Sequence, residues 1–352
     1  MSIKIIQPGA LSLIQDSGRF GFMQYGVTQS GAMDQISYAA ANHIAGNPAG
    51  AAEIEMTLMG LTAEFTEDAV IAVTGADMDA KLDGAAIDMY APVQVLKGQT
   101  LSFGTVKSGV RGYLAVRGGF DVPAVMGSRS TNLRSKIGGV SGRALAAGDE
   151  IRIGETAADL EPDADGEKGI FSRGLAFPMS RRELEHAPKF EKNITVRVVL
   201  GPQAENFTEA GIKAFEEGSY KVLPQSDRMG MRLSGPKVES KSGYDIISDG
   251  ILFGSVQITN GGEPIVMMAD HQTTGGYAKI ATAVSFDLPK LAQLPPGGTV
   301  HFEVISPEKA QELYRKPEDR YRSEKTMTLS AARHPEKDGS RRPFRGGWGR
   351  RL

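Results

Sequence analysis

The stretch SVQITNGGEPIVMMADHQTTGGYAK, residues 255–279, holds two brief strand-like runs, Ser255–Ile258 and Ile265–Ala269, parted by Thr259-Asn260-Gly261-Gly262 and closed by a polar, glycine-rich loop. Short apolar runs bounded by turn residues read as strands, because strand length and turn chemistry agree. The texture recurs along the chain: AVIAVTGADMDAKLDGAAI (69–87), QTLSFGT (99–105), GVRGYLAVRGGF (109–120), NITVRVVLGP (193–202), MRLSGPKV (231–238) and GTVHFEVIS (298–306). Helical patterns alternating regularly with strands, which a parallel α/β sheet needs, are missing. A mostly β fold of barrels or sandwiches is therefore expected.

A few helices are expected among the strands. Ser30 caps one running to about Ile44, with Gly46 just past its end; Glu205–Glu217 places Phe207, Ile212 and Phe215 near helical spacing. Leu288–Leu294 forms a short one with Pro289 in its first turn, and Ser306-Pro307-Glu308 starts another reaching about Arg315. The acidic, strand-poor stretch that begins ETAADLEPDADGEKG interrupts the pattern. It divides the chain into a first β domain (1–155), a connection (156–190), a second β domain (191–316) and a basic tail (317–352) expected to be mobile.

Composition narrows the chemistry. The chain has 352 residues, 40% of them hydrophobic, so a sizeable core can be buried. Having no cysteine, it has no disulfide, thiolate metal site or cysteine nucleophile. The net charge of −2 divides into about +7 from Arg320 onward and −9 before it, and an acidic body argues against a general nucleic-acid surface. No signal-peptide pattern and no run of roughly 18 apolar residues is present, so a soluble, cytoplasmic protein is expected. The terminal SRRPFRGGWGRRL can touch RNA or an anionic membrane, but reads more simply as a solvated tail.

Three polar clusters can carry chemistry. The densest is Asp270-His271-Gln272-Thr273-Thr274-Gly275-Gly276-Tyr277 with Lys279 behind it, placed where a buried strand ends. His271 can move protons near neutral pH, Asp270 can fix its tautomer, and Gly275 and Gly276 can present backbone donors. The alternative is a tight turn whose Asp and Thr satisfy backbone groups. Gly127-Ser128-Arg129-Ser130-Thr131-Asn132 suits a phosphate or carboxylate, or is a surface turn around an exposed arginine. Ser226-Asp227-Arg228-Met229-Gly230 with Arg232 is either an anion site or a solvated Asp227–Arg228 pair. Asp16 and Arg19 can form a local salt bridge, Asp34 can favour a first helical turn, and Asn42 and Asn47 read as capping groups. Walker A and G-x-S-x-G patterns are absent, and the five histidines are too scattered to suggest a metal.

Taken in order, the segments IQDSGRFGFMQYGVTQSGAMD (14–34), AANHIAGNPAGAAEIE (40–55), AVTGAD (72–77), GVRGYLAVRGGFDVPAVMGSRST (109–131), GGVSGRALAAGDEI (138–151), SDRMGMRLSGP (226–236) and the long block from Gly254 to Gly297 form a recognisable series. It resembles the family of the 5-oxoprolinase C subunit, also called allophanate hydrolase subunit 2, and the related part of the urea carboxylase carboxyltransferase domain. The resemblance implies two tandem cyclophilin-like β-barrel domains with a few short helices. It implies a B subunit as partner, joined by an A subunit (the lactam-utilisation protein) in the 5-oxoprolinase version. There ATP hydrolysis, at the level of the complex, drives opening of 5-oxoproline to glutamate. Carboxyltransferase relatives act on urea or another small amide with biotin supplied in trans, and one branch is a non-catalytic regulator that binds its B-subunit-like partner. The polar clusters, set within this series, make Asp270, His271 and Lys279 the expected catalytic groups. Ser128, Arg129, Ser130, Thr131, Arg228, Gln272, Thr273, Gly275, Gly276 and Tyr277 are the expected substrate or anion contacts. Many relatives carry Pro-Pro-Asp-Gly where this chain has Thr259-Asn260-Gly261-Gly262, a departure expected beside the site.

Overall fold

The computed structural model describes residues 1–155 and 186–317, so the greater part of the expected connection and nearly all of the basic tail lie outside the described residues. Met1–Pro317 forms one compact unit. Its first half is built on two antiparallel sheets. One has six strands in the order β11 (Glu150–Arg152), β1 (Ser2–Gln7), β4 (Thr62–Phe65), β9 (Thr100–Ser102), β6 (Lys81–Leu82) and β7 (Ala85–Ala86). The other has five: β2 (Leu11–Gln15), β3 (Glu53–Thr57), β10 (Ser108–Val116), β5 (Ala69–Asp77) and β8 (Pro92–Val95). Ile3, Ile5, Ile54, Phe65, Ile71, Leu101 and Leu114 join one buried core in this half.

The second half closes on itself as a barrel, in the order β12 (Asn193–Leu200), β19 (Lys279–Ala283), β16 (Ser255–Ile258), β17 (Pro264–Met267), β14 (Gly230–Ser234), β13 (Tyr220–Val222) and β20 (Thr299–Val304). The ring shuts through the parallel pairing of β20 with β12. Period-2 alternation is plain in β12, where Val196 and Val198 are fully buried while Arg197 and Val199 between and beyond them are only partly so. Outside the barrel, β15 (Asp245–Gly250) pairs with β18 (Thr274–Tyr277) as a separate two-stranded ribbon. The mostly β expectation holds, with four α-helices of five to eleven residues among the described residues.

Helix α1 (Gln35–Ala45) explains why the two halves form one body. Asp34, not Ser30, caps it: the Asp34 carboxylate accepts from the backbone N–H groups of Ile36 and Ser37, both at 3.0 Å. Ser30 instead sits at φ +56° and accepts a hydrogen bond from Asn132. Gly46, at φ +76°, ends the helix in the left-handed cap expected of glycine. One face of α1 packs Tyr38, Ala41 and Ala45 on Ala72, Tyr113 and Ala115 of β5 and β10. This covers those strands on their second face, so they are buried on both sides. The other face brings Ile36, Ala39 and Ala40 against Val284, Phe286 and Leu313 of the second half, while Met33 enters the barrel's own core. Helices α2 (Glu209–Glu217) and α4 (Pro307–Arg315) are capped by Thr208 and Ser306, and α3 (Leu288–Ala292) carries proline in its first turn.

Candidate functional site between the two halves

A buried polar network joins the halves. Glu55 on β3 accepts at Oε2 from the Met33 backbone N–H (2.8 Å) and the Tyr113 hydroxyl (2.7 Å), and at Oε1 from the Arg228 guanidinium. Arg228 donates through Nε to Asp270 Oδ2 at 2.8 Å and through Nη2 to Asp270 Oδ1 at 3.2 Å and to the Gly31 carbonyl at 2.7 Å. Burial opposes its charge, but Asp270 and Glu55 outweigh that and hold the guanidinium above its ordinary pKa. Gln293 extends the tie: its amide donates to Asp34 Oδ2 at 2.7 Å and accepts from the N–H groups of Val110 and Arg111 at 2.9 Å. Arg228 is therefore spent on protein acceptors, not on an open anion site. It does not pair with Asp227, whose carboxylate accepts from the Met229 and Gly230 amides at 2.8 and 3.0 Å.

The 127–131 cluster is likewise turned inward. Ser128 Oγ and Ser130 Oγ donate to Asp16 Oδ1 at 2.7 and 2.5 Å, and the Arg129 N–H donates to Asp16 Oδ2 at 2.5 Å. The loop does bind a carboxylate, but that carboxylate is the chain's own. Arg19, expected beside Asp16, donates instead to the carbonyls of Val125 (2.8 Å) and Ser130 (3.0 Å). Arg129 turns its Nε to the Val122 carbonyl at 2.9 Å, and Thr131 is fully buried. Ser128, Ser130 and Thr131 are buried, the Arg129 side chain is 42% exposed beside Asp121, and none of them lines the cleft between the halves.

That cleft has a volume of about 360 Å³. Gly26, Thr28, Asn132, Arg134 and Ser135 line it from the first half, and Asp270, Gln272, Thr273 and Thr274 from the second. Arg134 stands on a tight turn in which Asn132 and Ile137 exchange backbone hydrogen bonds of 2.9 and 3.3 Å. Asn132 fixes that turn by accepting from the Ser135 N–H (2.7 Å) and donating to Thr28 Oγ1 (2.6 Å) and Ser30 Oγ (3.0 Å). Among the described residues the Arg134 guanidinium makes one hydrogen bond, to Met229 Sδ at 3.6 Å. The side chains of Ser135, Gln272, Thr273 and Thr274 make no hydrogen bond to a described residue. One cation, one amide and three hydroxyls thus face a small space beside the Asp270 carboxylate, a set suited to a small polar ligand bearing negative charge.

Of the expected catalytic groups, Asp270 alone lines this cleft. His271 is 1% exposed, donates from Nδ1 to the Gln272 carbonyl at 2.7 Å, and does not line the cleft. Burial pulls its imidazole below its ordinary pKa, against the Gln272 carbonyl and the Asp270 charge. Lys279 is buried elsewhere and reaches Asp249 Oδ2 at 3.0 Å. Gly275 and Gly276 belong to the β15–β18 ladder, and Tyr277 faces a different cavity with the 259–262 turn. Arg134, Ser135 and Thr28 enter the site without a sequence signal of their own, although Arg134 and Ser135 stand only two and three residues past Asn132 of the Ser-Arg-Ser-Thr-Asn run. Among the described residues no three His, Asp or Glu side chains converge as a metal site, and no helix is long and apolar enough to cross a membrane.

The fold is a closed barrel tied to a two-sheet half, with a polar cleft along the tie. Residues 25–304 match the family model of the carboxyltransferase domain, subdomains A and B, and the chain belongs to that family. It is 38% identical over 319 residues to the 5-oxoprolinase C subunit of Escherichia coli K12, covering 91% of this chain and 96% of that protein. It is 34% identical over 327 residues to urea amidolyase of Saccharomyces cerevisiae, covering 89% of this chain but 17% of that much longer enzyme. Among solved structures, urea amidolyase of K. lactis superposes with a TM-score of 0.79 at 31% identity, over 90% of this chain and 19% of that one.

Proposed function

We propose that this chain is the C subunit of a cytoplasmic, heteromeric 5-oxoprolinase. With a B and an A subunit it opens the 5-oxoproline lactam to glutamate, driven by ATP hydrolysis. The observation that carries this reading is the set of uncommitted donors around Arg134 and Asp270, in a chain similar over nearly its whole length to the C subunit of a bacterial 5-oxoprolinase. In the reaction the lactam C–N bond breaks, water supplies the new carboxylate oxygen, and the freed nitrogen takes up a proton. Arg134 seats the substrate carboxylate, and Gln272 with Thr273 donates to the carbonyl oxygen as charge develops there. Asp270, oriented by Arg228, moves the proton. His271 and Lys279 carry no step, since one is turned from the cleft and the other is paired with Asp249. A cleft with a single arginine and no glycine-rich phosphate loop does not fit a nucleoside triphosphate, so this reading places ATP elsewhere in the complex.

A second reading, carboxyl transfer to urea or another small amide with biotin arriving on a separate protein, is supported by the similarity to urea amidolyase. Co-expression with the cognate A and B subunits, followed by measurement of 5-oxoproline-dependent ADP and glutamate, separates the two. Arg134→Ala is expected to raise KM for 5-oxoproline about tenfold or more, the usual effect of losing a charge-assisted bond. Asp270→Asn is expected to lower kcat by about 10²-fold. An assembled complex with no 5-oxoproline turnover, but with biotin-dependent carboxylation of urea, would replace the first reading by the second.

A further inference from the structure

A second cavity, of about 400 Å³, opens on the outside of the barrel and shares no lining residue with the cleft between the halves. Arg232 of β14 and Ile265 of β17 are direct partners across the ladder, so their side chains stand on one face. Leu223 and the Tyr277 ring extend the apolar wall, and the turn bearing Asn260 forms the rim. That turn is fixed by the Thr259 N–H to the Glu263 carbonyl (3.0 Å) and the Gly262 N–H to the Thr259 carbonyl (2.8 Å). Glu263 also faces the cavity, but Lys237 neutralises it at 2.6 Å. Arg232 is the charge left over. Among the described residues its guanidinium has no ion pair or hydrogen bond, and neither the Asn260 amide nor the Tyr277 hydroxyl has a partner.

We propose that this cavity is a second ligand site, taking a small carboxylate carried on a compact apolar or aromatic body. Arg232 supplies the fork that matches a carboxylate, Asn260 and Tyr277 add neutral donors beside it, and Leu223, Ile265 and the Tyr277 ring cover the body. The volume suits such a ligand, falling within the roughly 300–1,000 Å³ of small-molecule sites. The site is independent of the lactam reaction, because Arg134 and Asp270 take no part in it.

Calorimetric titration of the full chain with phenylacetate, and separately with acetate, tests this. Phenylacetate is expected to bind saturably with one site per chain, and acetate, lacking the body, at least about tenfold more weakly. Arg232→Ala, an exposed position whose loss leaves the barrel intact, is expected to weaken phenylacetate about tenfold or more, and Tyr277→Phe to weaken it severalfold. Arg134→Ala is expected to leave it unchanged, which separates this site from the cleft between the halves. No saturable binding of phenylacetate overturns the proposal. So does binding that survives Arg232→Ala, or that is lost with Arg134→Ala.

Discussion

Glu53 is fully buried on β3, and neither of its carboxylate oxygens meets hydrogen-bond geometry with a described partner. Burial drives its pKa well above the ordinary glutamate range, opposed by the Asn42 backbone amide and reinforced by the charge of Glu55. Gln15 stands opposite it in the ladder with its own carbonyl oxygen unpaired, so the neutral acid is the form the fold accepts. Because the folded pKa lies above the unfolded one, the stability contributed is complete below the unfolded value of about 4.3 and is lost as pH rises through the folded value. Wild-type Tm is therefore expected to fall between pH ~5 and ~8 more steeply than that of Glu53→Gln, which keeps the shape without the proton. Parallel melting curves for the two proteins across that range would show that Glu53 does not titrate there. Nothing in the sequence marks this residue. A glutamate in a short strand reads as solvent-facing, and only the covering of β3 on both faces makes it otherwise. The inward turn of Ser128 and Ser130 is hidden for a similar reason, since Asp16 lies more than a hundred residues away.

At the scale of elements, β18 divides the two cavities. Thr274 at its start lines the cleft between the halves, and Tyr277 at its end lines the outer cavity. Gly275, between them, has no room for a side chain: a Cβ there would stand 2.5 Å from Ile251 Cδ1, 2.9 Å from Gln257 Nε2 and 3.1 Å from Gln272 Nε2. Ile251 and Gln257 are buried, so the ribbon has to lift. Gly275→Ala is expected to destabilise the protein by about 1–3 kcal/mol through overpacking, and to displace Gln272, so that KM for 5-oxoproline rises as it does for Arg134→Ala. Unchanged KM with lowered stability would confine the glycine to packing. Gly276 meets nothing nearer than the Ile246 carbonyl at 3.6 Å, so the same change there is expected to be mild. The doublet reads as part of a loop, yet both glycines lie inside strand β18. The separate roles of the two glycines are not legible, because they depend on Ile251 and Gln257 arriving from other elements.

At the scale of the molecule, Arg228 is the charged link between the two β units that α1 packs together. Its position inside a run with Asp227, Arg232 and glycines suggests an exposed ion site, yet local sequence cannot tell which arginine will find Glu55 from the other half. Burying Arg228, Asp270 and Glu55 together carries a desolvation cost that their mutual attraction only roughly offsets. Removing one partner is different, because it strands the others without compensation. Arg228→Ala leaves the buried Asp270 carboxylate without its cation and Glu55 with only Arg111 at 4.0 Å, and is expected to cost about 3–5 kcal/mol in denaturant unfolding. Glu55→Gln, which keeps the acceptor and drops the charge, is expected to recover part of that loss in the Arg228→Ala background. The two changes should then show a coupling of about 0.5–3 kcal/mol in a double-mutant cycle. Simple additivity would mean that the junction is held by Met33, α1 and Gln293 without Arg228, which would act only to orient Asp270. In that case Arg228→Ala would lower kcat while leaving unfolding near wild type. The pairing of a stability readout with a rate readout thus assigns Arg228 to the architecture or to the site, and the network drawn around Glu55 predicts that it serves both.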